Sequence, residues 1–314
     1  MLLKRSFYYA KILLFGEYGI IEDSMGLSIP FNHFNGVLKF AETKTEFSQN
    51  SNEDIEEFCN FLDDNQKNGI LNFKIDIEQL RKDIKNGLYF DSSIPQGFGV
   101  GSSGALVASI YDHYCTDKIE INNKQKGDEI LRLKQIFSQM ESFFHGKSSG
   151  LDPLICYLNL PILIRSKTEL GTVGLPEHNE SGEGAIFLIN SGSPGQTQNM
   201  VSIFLEKCKH EGFRNLVKTQ FKTYNDDCIE AFLKKDFKPL FKSLKKLSTL
   251  VYDNFHPMIP ENFKKLWKTG IESNHYYLKL CGSGGGGYIL GFTENYAEAE
   301  KYIKKYQPQV IYKF

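Results

Sequence analysis

A glycine- and serine-rich stretch, PQGFGVGSSGAL at residues 95–106, is the part of this sequence best suited to chemistry. Glycine inside regular structure costs roughly 0.5–1 kcal/mol relative to alanine, so its four glycines indicate a backbone that bends sharply or approaches a ligand. Successive glycines let backbone N–H groups turn toward one anion, and a following helix adds its positive end. The hydroxyls of Ser102 and Ser103 can reach a phosphate or its Mg²⁺. The stretch favours phosphate binding; the alternative is a tight helix entry capped by serine.

The sequence context of this stretch does not fit a standard nucleotide motif. G-x-G-x-x-G occurs at residues 99–104 and again at 282–287, but a dinucleotide fingerprint must follow an apolar strand, and here DSSIPQ precedes the glycines. The P-loop pattern also fails, because no lysine follows them. The inference of phosphate binding therefore depends on the physics of the glycine backbone alone.

Ionisable side chains occur in two other stretches, and a third is again rich in glycine. Lys11 and Glu17 lie in YAKILLFGEYG, and Glu141 and Asp152 in ESFFHGKSSGLD; LKLCGSGGGGY follows near the end. Each feature has a structural alternative. Glu141 could be an exposed helix residue, Asp152 an N-cap before Pro153, Lys11 a snorkelling lysine, and the late glycines a hairpin.

The bulk composition is typical of a globular protein. The chain has 314 residues, enough for about two domains, with 41% apolar and 24% charged residues. The net charge of −1 gives no field for nucleic acid or an anionic membrane. No apolar run approaches the roughly 18–20 residues of a membrane span, and the start of the sequence lacks a secretory core. Six scattered cysteines without a CxxC pair favour buried thiols in a reducing cytosol. We therefore expect a cytoplasmic protein.

The apolar patterns predict an α+β chain of two domains. The boundary is expected in LGTVGLPEHNESGEG (170–184), which separates domains at 1–182 and 183–314. Residues 48–65 are expected to form an exposed connection with a short helix. The lysine-dense segment 234–250 is expected to present a solvated face over a packed apolar stripe. Strands are predicted at 11–15, 36–41 and 185–190, and helices at 129–144, 198–221 and 225–249.

Taken together, these stretches resemble the motifs of the GHMP kinase family, named for galactokinase, homoserine kinase, mevalonate kinase and phosphomevalonate kinase. The resemblance covers nearly the whole chain. PQGFGVGSSGAL is similar to the signature P-x-G-x-G-L-G-S-S-A-A and departs from it at Val100 and Gly104. The resemblance implies a ribosomal-protein-S5-like N-terminal domain, a ferredoxin-like C-terminal domain, and ATP and acceptor in the cleft between them.

The resemblance also implies a role for each candidate residue in an ATP- and Mg²⁺-dependent kinase. Asp152 would act as the catalytic base or orienting carboxylate beside Lys11, and Ser103 and Glu141 would bind Mg²⁺. His145 matches a histidine that is structural in the family. The residues implied in ATP binding are Pro95, Gly97, Gly99, Gly101, Ser102, Ser103 and Gly104. Those implied in acceptor binding are Glu17, Tyr18, Thr197, Gly284 and Gly285.

Within the family the motifs are most similar to those of mevalonate kinases, which implies phosphorylation of the primary hydroxyl of mevalonate. Glu17 and TQNMV (197–201) support that acceptor, whereas Tyr18 replaces a usual histidine and Gln196 an expected arginine. Other small acceptors, such as phosphomevalonate or a sugar, remain open, and Lys147 is the basic candidate for a phosphorylated one. A non-catalytic nucleotide-binding regulator is a further alternative. Family members are often dimers, which leaves a homodimer open.

Overall fold

The computed structural model describes residues 6–119, 127–146, 148–195 and 197–314, without the side chains of Thr197 and Gln198. Contacts divide the chain into two compact units. The first unit comprises the chain up to Lys11, Pro30–Pro95 and Gly101–Leu160; the second comprises Ile12–Ile29, Gln96–Val100 and Pro161–Phe314. The boundary expected at 182/183 remains a prediction.

The first unit is mainly helical. Strands β1 (Tyr8–Phe15) and β2 (Gly26–Phe40) each lie partly in this unit. The end of β2 pairs antiparallel with β3 (Leu88–Ser92), with Gly36 opposite Ser92 and Phe40 opposite Leu88. The helices are α1 (Glu46–Lys67), α2 (Ile77–Lys85), α3 (Ser102–Tyr114), α4 (Gly127–His145) and α5 (Leu151–Leu158).

Helix α1 corrects the expectation of an exposed connection at 48–65. It runs for 22 residues from a capping box in which Thr45 and Ser48 bond to each other's backbone N–H groups. Its buried residues Ile55, Phe58, Cys59 and Leu62 follow the helical spacing of i, i+3, i+4 and i+7. The polar residues between them obscured this narrow apolar stripe in the sequence, although the stripe is enough to pack the whole helix.

Helices α3, α4 and α5 share one aromatic core. The ring of Tyr111 on α3 lies edge-on to Phe137 on α4 at 5.0 Å and to Tyr157 on α5 at 5.2 Å. All three residues are buried, and T-shaped aromatic pairs add about 0.5–1.5 kcal/mol each beyond their buried area. This core fixes the relative positions of three helices that each carry a candidate site residue.

The second unit contains a four-stranded antiparallel sheet in the order β7 (Tyr277–Leu280), β8 (Tyr288–Thr293), β6 (Ala185–Asn190) and β9 (Gln309–Lys313). Outside this sheet, the start of β2 pairs with β4 (Ile162–Ile164), and β4 pairs with β5 (Leu170–Thr172). The helices are α6 (Thr197–Lys207), α7 (Glu211–Leu216), α8 (Lys222–Leu233), α9 (Phe237–Asn254), α10 (Glu261–Ser273) and α11 (Tyr296–Ile303).

The prediction of an α+β chain is confirmed, and β6 covers the strand expected at 185–190. The helix expected at 225–249 is instead two helices, α8 and α9, because Lys235 adopts a left-handed backbone with φ 59° between them. On α9 the apolar stripe is buried at Leu240, Phe241 and Leu244, as expected for a packed face under solvated lysines. Among the described residues, no helix is both long and apolar enough to cross a bilayer.

Candidate active site

Lys11 and Asp152 form an ion pair in the first unit. Lys11 lies in β1 and is 4% exposed. Its Nζ is 2.8 Å from Oδ1 of Asp152, whose side chain remains 39% exposed. Asp152 lies in the first turn of α5, and the N-cap is Gly150, so the N-cap alternative for Asp152 is wrong. The pair therefore presents a partly exposed carboxylate beside a buried cation.

The end of the glycine loop packs directly against this ion pair. A Cβ atom on Gly101, where φ is 85°, would lie 2.9 Å from Cγ of Lys11. One on Gly104 would lie 2.8 Å from the backbone carbon of Asp152. Helix α3 begins at Ser102 with Gly101 as N-cap and no side-chain cap, so the serine-cap alternative is wrong. The glycines thus allow the N-terminus of α3 to lie beside Lys11 and Asp152.

Glu141 is a buried carboxylate in the same neighbourhood. It lies on α4 and is 3% exposed, so the alternative of an exposed helix residue is wrong. Its Oε2 accepts a hydrogen bond from the hydroxyl of Ser148. Burial, followed by the negative charge of Asp152, raises the pKa of Glu141 to about 8, against the opposing effects of Ser148 and Lys11.

Ser103 lies beside His145. Its Oγ is 3.2 Å from Nε2 of His145, so the predicted metal-binding hydroxyl is hydrogen-bonded to an imidazole. Burial lowers the pKa of His145, and the charges of Asp152 and Lys11 act on the ring in opposite directions. Helices α3, α4 and α5 thus bring Ser103, Glu141 and Asp152 into one cluster with Lys11, although the sequence separates them by up to 141 residues.

The first part of the glycine loop belongs to the second unit. Gly97 and Gly99 have φ values of 78° and 77°. A Cβ on Gly97 would lie 2.7 Å from Cβ of Pro194, and one on Gly99 would lie 2.6 Å from the carbonyl oxygen of Cys281. The N–H of Gly195 donates to the carbonyl of Gly97 at 2.7 Å. Both positions therefore favour glycine, because φ is positive and a Cβ atom would lie too close to neighbouring atoms. Pro95, which precedes them, is half-buried.

The late glycine stretch connects β7 to the antiparallel strand β8, so its description as a hairpin is correct. Gly284 and Gly285 have φ values of 72° and 73°. The N–H of Gly285 donates to the carbonyl of Met258 at 2.6 Å, and that of Gly287 to Ser193 at 2.7 Å. The segment is thus held in a packed conformation, and the acceptor contacts of Gly284 and Gly285 stay a prediction.

Glu17 and Tyr18 both contact the end of β7 or the residues that follow it. Glu17, 7% exposed, accepts a hydrogen bond from Nζ of Lys279, which is 3% exposed. The hydroxyl of Tyr18 donates to the carbonyl of Ser283. A phenol has one proton to donate, so Tyr18 cannot also donate to an acceptor carboxylate while this bond persists. Burial and the charge of Glu17 raise the pKa of Tyr18.

Sequence reasoning missed Ser148 and Lys279. Lys279 had a signal, because a lysine inside the apolar strand YYLKLC needs a buried partner of opposite charge. Ser148 had none, since a serine in a polar bend is ordinary. Gln196, Lys147 and the side chain of Thr197 lie outside the described residues, so their predicted roles stay predictions.

Comparisons with known proteins add a structural likeness. No family model matches the sequence, and no curated protein matches it. Among solved structures, Leishmania major mevalonate kinase with R-mevalonate is similar at TM-score 0.64 and 14% identity, over 96% of this chain and 91% of that one. Streptococcus pneumoniae phosphomevalonate kinase with phosphomevalonate and AMPPNP is similar at 0.65 and 13%, over 99% of each chain.

Lactococcus lactis galactokinase with galactose is similar at TM-score 0.61 and 13% identity, over 98% of this chain and 93% of that one. Three kinases for three different acceptors therefore share the architecture of this chain over nearly their full lengths. Identities this low relate folds and leave substrates open. The predicted fold is confirmed: the chain has the fold of the GHMP kinases.

Proposed function

We propose that this protein is an ATP- and Mg²⁺-dependent kinase that phosphorylates the hydroxyl of a small molecule. The observation that carries the proposal is the Lys11–Asp152 pair, whose carboxylate is 39% exposed beside the N-terminus of α3. The fold agrees, since it is shared with kinases crystallised with R-mevalonate, with phosphomevalonate and AMPPNP, and with galactose.

In this proposal Asp152 receives the acceptor alcohol. Its carboxylate accepts the hydrogen bond of the attacking hydroxyl and orients the oxygen toward the terminal phosphoryl group. Lys11 lies 2.8 Å from the same carboxylate and stabilises the negative charge that develops on the alcohol oxygen. Because Lys11 is buried, its charge is screened little by water, which strengthens that effect.

The glycine loop and α3 are proposed to bind the phosphates of ATP. Helix α3 has 13 residues and no side-chain cap, so its first N–H groups and its dipole suit an anion. The absence of Cβ atoms at Gly101 and Gly104 keeps this helix end close to Asp152. The adjacent residues Ser102 and Ser103 add hydroxyl groups.

The residues at the cluster fit Mg²⁺. A buried carboxylate with a raised pKa, as at Glu141, gains stabilisation from a cation. Glu141 and the hydroxyl of Ser103 would supply oxygen donors of the kind that Mg²⁺ prefers, and phosphate oxygens and water usually complete its octahedron. The described residues hold no group of three or more His, Cys, Asp or Glu that could bind a metal by themselves. When bound, the ion would neutralise charge on the phosphates.

Mevalonate is the proposed acceptor. The support is the similarity of the motifs around Glu17 and Asp152 to those of mevalonate kinases, together with the likeness to the R-mevalonate complex. The second candidate is another small acceptor. It is favoured by Tyr18, which replaces the usual histidine and donates a hydrogen bond from its hydroxyl to the carbonyl of Ser283. A non-catalytic regulator is the remaining alternative.

The test is ADP release from Mg²⁺-ATP with mevalonate, phosphomevalonate, diphosphomevalonate, homoserine or galactose, with Asp152→Asn as the inactive control. Saturable release with mevalonate alone supports the full proposal. Release with another compound of the panel supports the proposal of a kinase but assigns it a different acceptor. If ATP binds but no acceptor stimulates release above the level of Asp152→Asn, the proposal of mevalonate is wrong, and an acceptor outside the panel or the regulatory alternative is favoured.

A further inference from the structure

A second ion pair, between Glu17 and Lys279, is sealed inside the second unit. The two side chains are 6% and 4% exposed. Nζ of Lys279 donates to Oε1 of Glu17 and, at 3.1 Å, to the carbonyl of Leu280. It also lies 5.6 Å from the centre of the Phe15 ring, within range of a cation–π contact. Lys279 is thus surrounded by groups that hold its ammonium in one place.

Little water can reach this pair. The adjacent cavity measures about 10 Å³, which is room for about one water molecule. Its wall is largely apolar, so water cannot replace either charged partner. The orientation of the Glu17 carboxylate therefore depends on the Lys279 ammonium, and the reverse. Besides Glu17 and Lys279, the lining includes the apolar side chains of Phe221, Val251 and Phe255.

A second contact ties the same turn to the same segment. Tyr18 has a backbone φ of 61°, which is unfavourable for a bulky residue and persists only where the surroundings hold it. Its hydroxyl bonds to Ser283, and its ring stacks on Phe204 at 4.6 Å. Two successive side chains therefore fasten the Gly16–Gly19 turn to residues 279–283, and the turn cannot reorient without breaking both contacts.

We infer that Lys279 is a positioning residue for acceptor binding: through its buried ion pair with Glu17 it holds the Gly16–Gly19 turn in the conformation in which the acceptor binds beside it. This inference rests on the proposed function, with the acceptor bound next to the Gly16–Gly19 turn, where the family resemblance predicts acceptor contacts. Lys279 itself acts only through Glu17. The role differs from that of Lys11, whose partner is exposed enough to meet a substrate.

The experiment compares Lys279→Met and Lys279→Arg with wild type, using the panel acceptor that gives the highest turnover. Lys301→Met is the matched control, because Lys301 pairs with Glu298 at the surface with 63% of its side chain exposed. For Lys279→Met we expect the acceptor KM to rise at least tenfold while the ATP KM stays within twofold. Lys279→Arg restores the charge in another shape and is expected to raise the acceptor KM three- to tenfold. Lys301→Met should leave both constants unchanged.

An acceptor KM of folded Lys279→Met less than tenfold above wild type overturns the inference, as does an equal rise in both KM values. Folding is checked by circular dichroism. If Lys279→Met does not fold, Lys279→Arg decides: a rise in acceptor KM below threefold overturns the inference, and a selective rise of threefold or more supports it. Failure of the proposed function looks different, since wild type itself would then turn over no acceptor.

Discussion

The two lysine–carboxylate pairs differ in how far each carboxylate reaches solvent. In Lys11–Asp152 the lysine is buried and the aspartate side chain is 39% exposed. In Lys279–Glu17 both side chains are nearly inaccessible. A carboxylate must be reachable to meet a substrate hydroxyl directly, whereas a sealed pair fixes geometry. The exposure of Asp152 therefore suits the chemical role that we propose for it, and the burial of Glu17 suits the proposed positioning role.

The two pairs also respond differently to the loss of the lysine. Removing one partner of a buried ion pair costs about 3–5 kcal/mol, because the remaining charge stays in a medium of low polarity. Loss of Lys279 should therefore destabilise the fold by about this amount, because Glu17 stays buried without its partner. Loss of Lys11 leaves Asp152 partly hydrated, so we expect a smaller effect on folding and a larger one on chemistry.

After the loss of Asp152 itself, the largest expected effect is that of Lys11→Met. Removing a cation that stabilises developing charge typically costs a factor of about 10²–10³ in kcat, and we expect a loss in that range. ATP affinity, measured by calorimetry, should change less than threefold. A kcat within a few-fold of wild type would show that Lys11 stabilises only the fold.

Glu141→Gln tests whether the buried carboxylate of Glu141 binds Mg²⁺. Loss of the carboxylate oxygens should raise the Mg²⁺ concentration needed for half-maximal turnover at least about tenfold, because Mg²⁺ binds charged oxygen donors. The matched control is Glu230→Gln, at a surface pair whose carboxylate side chain is 60% exposed. An unchanged Mg²⁺ titration in Glu141→Gln would contradict metal binding at this residue.

The pH dependence of folding tests the burial of Glu141 without any metal. The pKa of Glu141 is raised from an ordinary 4.5 to about 8, so between these values the folded state binds more protons than the unfolded state. Stability therefore falls as pH rises through this window, by at most about 1.4 kcal/mol per pH unit. Urea unfolding in metal-free buffer should show a steeper decline for wild type than for Glu141→Gln. Parallel curves would contradict the raised pKa.

Tyr18→Phe has the smallest expected effect. It removes the hydrogen bond to Ser283 but keeps the ring stacked on Phe204, so the free energy of unfolding should drop by about 1 kcal/mol. The acceptor KM should rise only a few-fold, because Lys279 still holds Glu17. A rise in acceptor KM as large as that of Lys279→Met would show that the positioning role belongs to Tyr18.

The sequence predicted those parts of the molecule whose signals are local. Glycines that must approach a backbone, as at Gly101 and Gly104, are visible as a cluster, and the strand β6 is a continuous apolar run. The pairing of Lys11 with Asp152 followed from the family resemblance, because 141 residues separate the two. Its exposure could only be seen in the structure.

The parts that escaped prediction depend on tertiary contacts. Helix α1 is mostly polar, and its narrow stripe has meaning only against the surface that it covers. Helices α8 and α9 are separated at Lys235, whose backbone is left-handed. Because this residue is not a glycine, the sequence did not indicate the break. Ser148 acquires a role only because the chain folds back to place its hydroxyl on Glu141.

The most direct test of the account measures kcat and acceptor KM for Asp152→Asn and Glu17→Gln side by side. If the exposed carboxylate does the chemistry and the sealed one positions the acceptor, Asp152→Asn should lose about 10³-fold or more in kcat with a similar acceptor KM. Glu17→Gln should raise the acceptor KM at least about tenfold and keep kcat within tenfold. Equal losses of kcat in both variants, or a kcat of Asp152→Asn within tenfold of wild type, would contradict this division of roles.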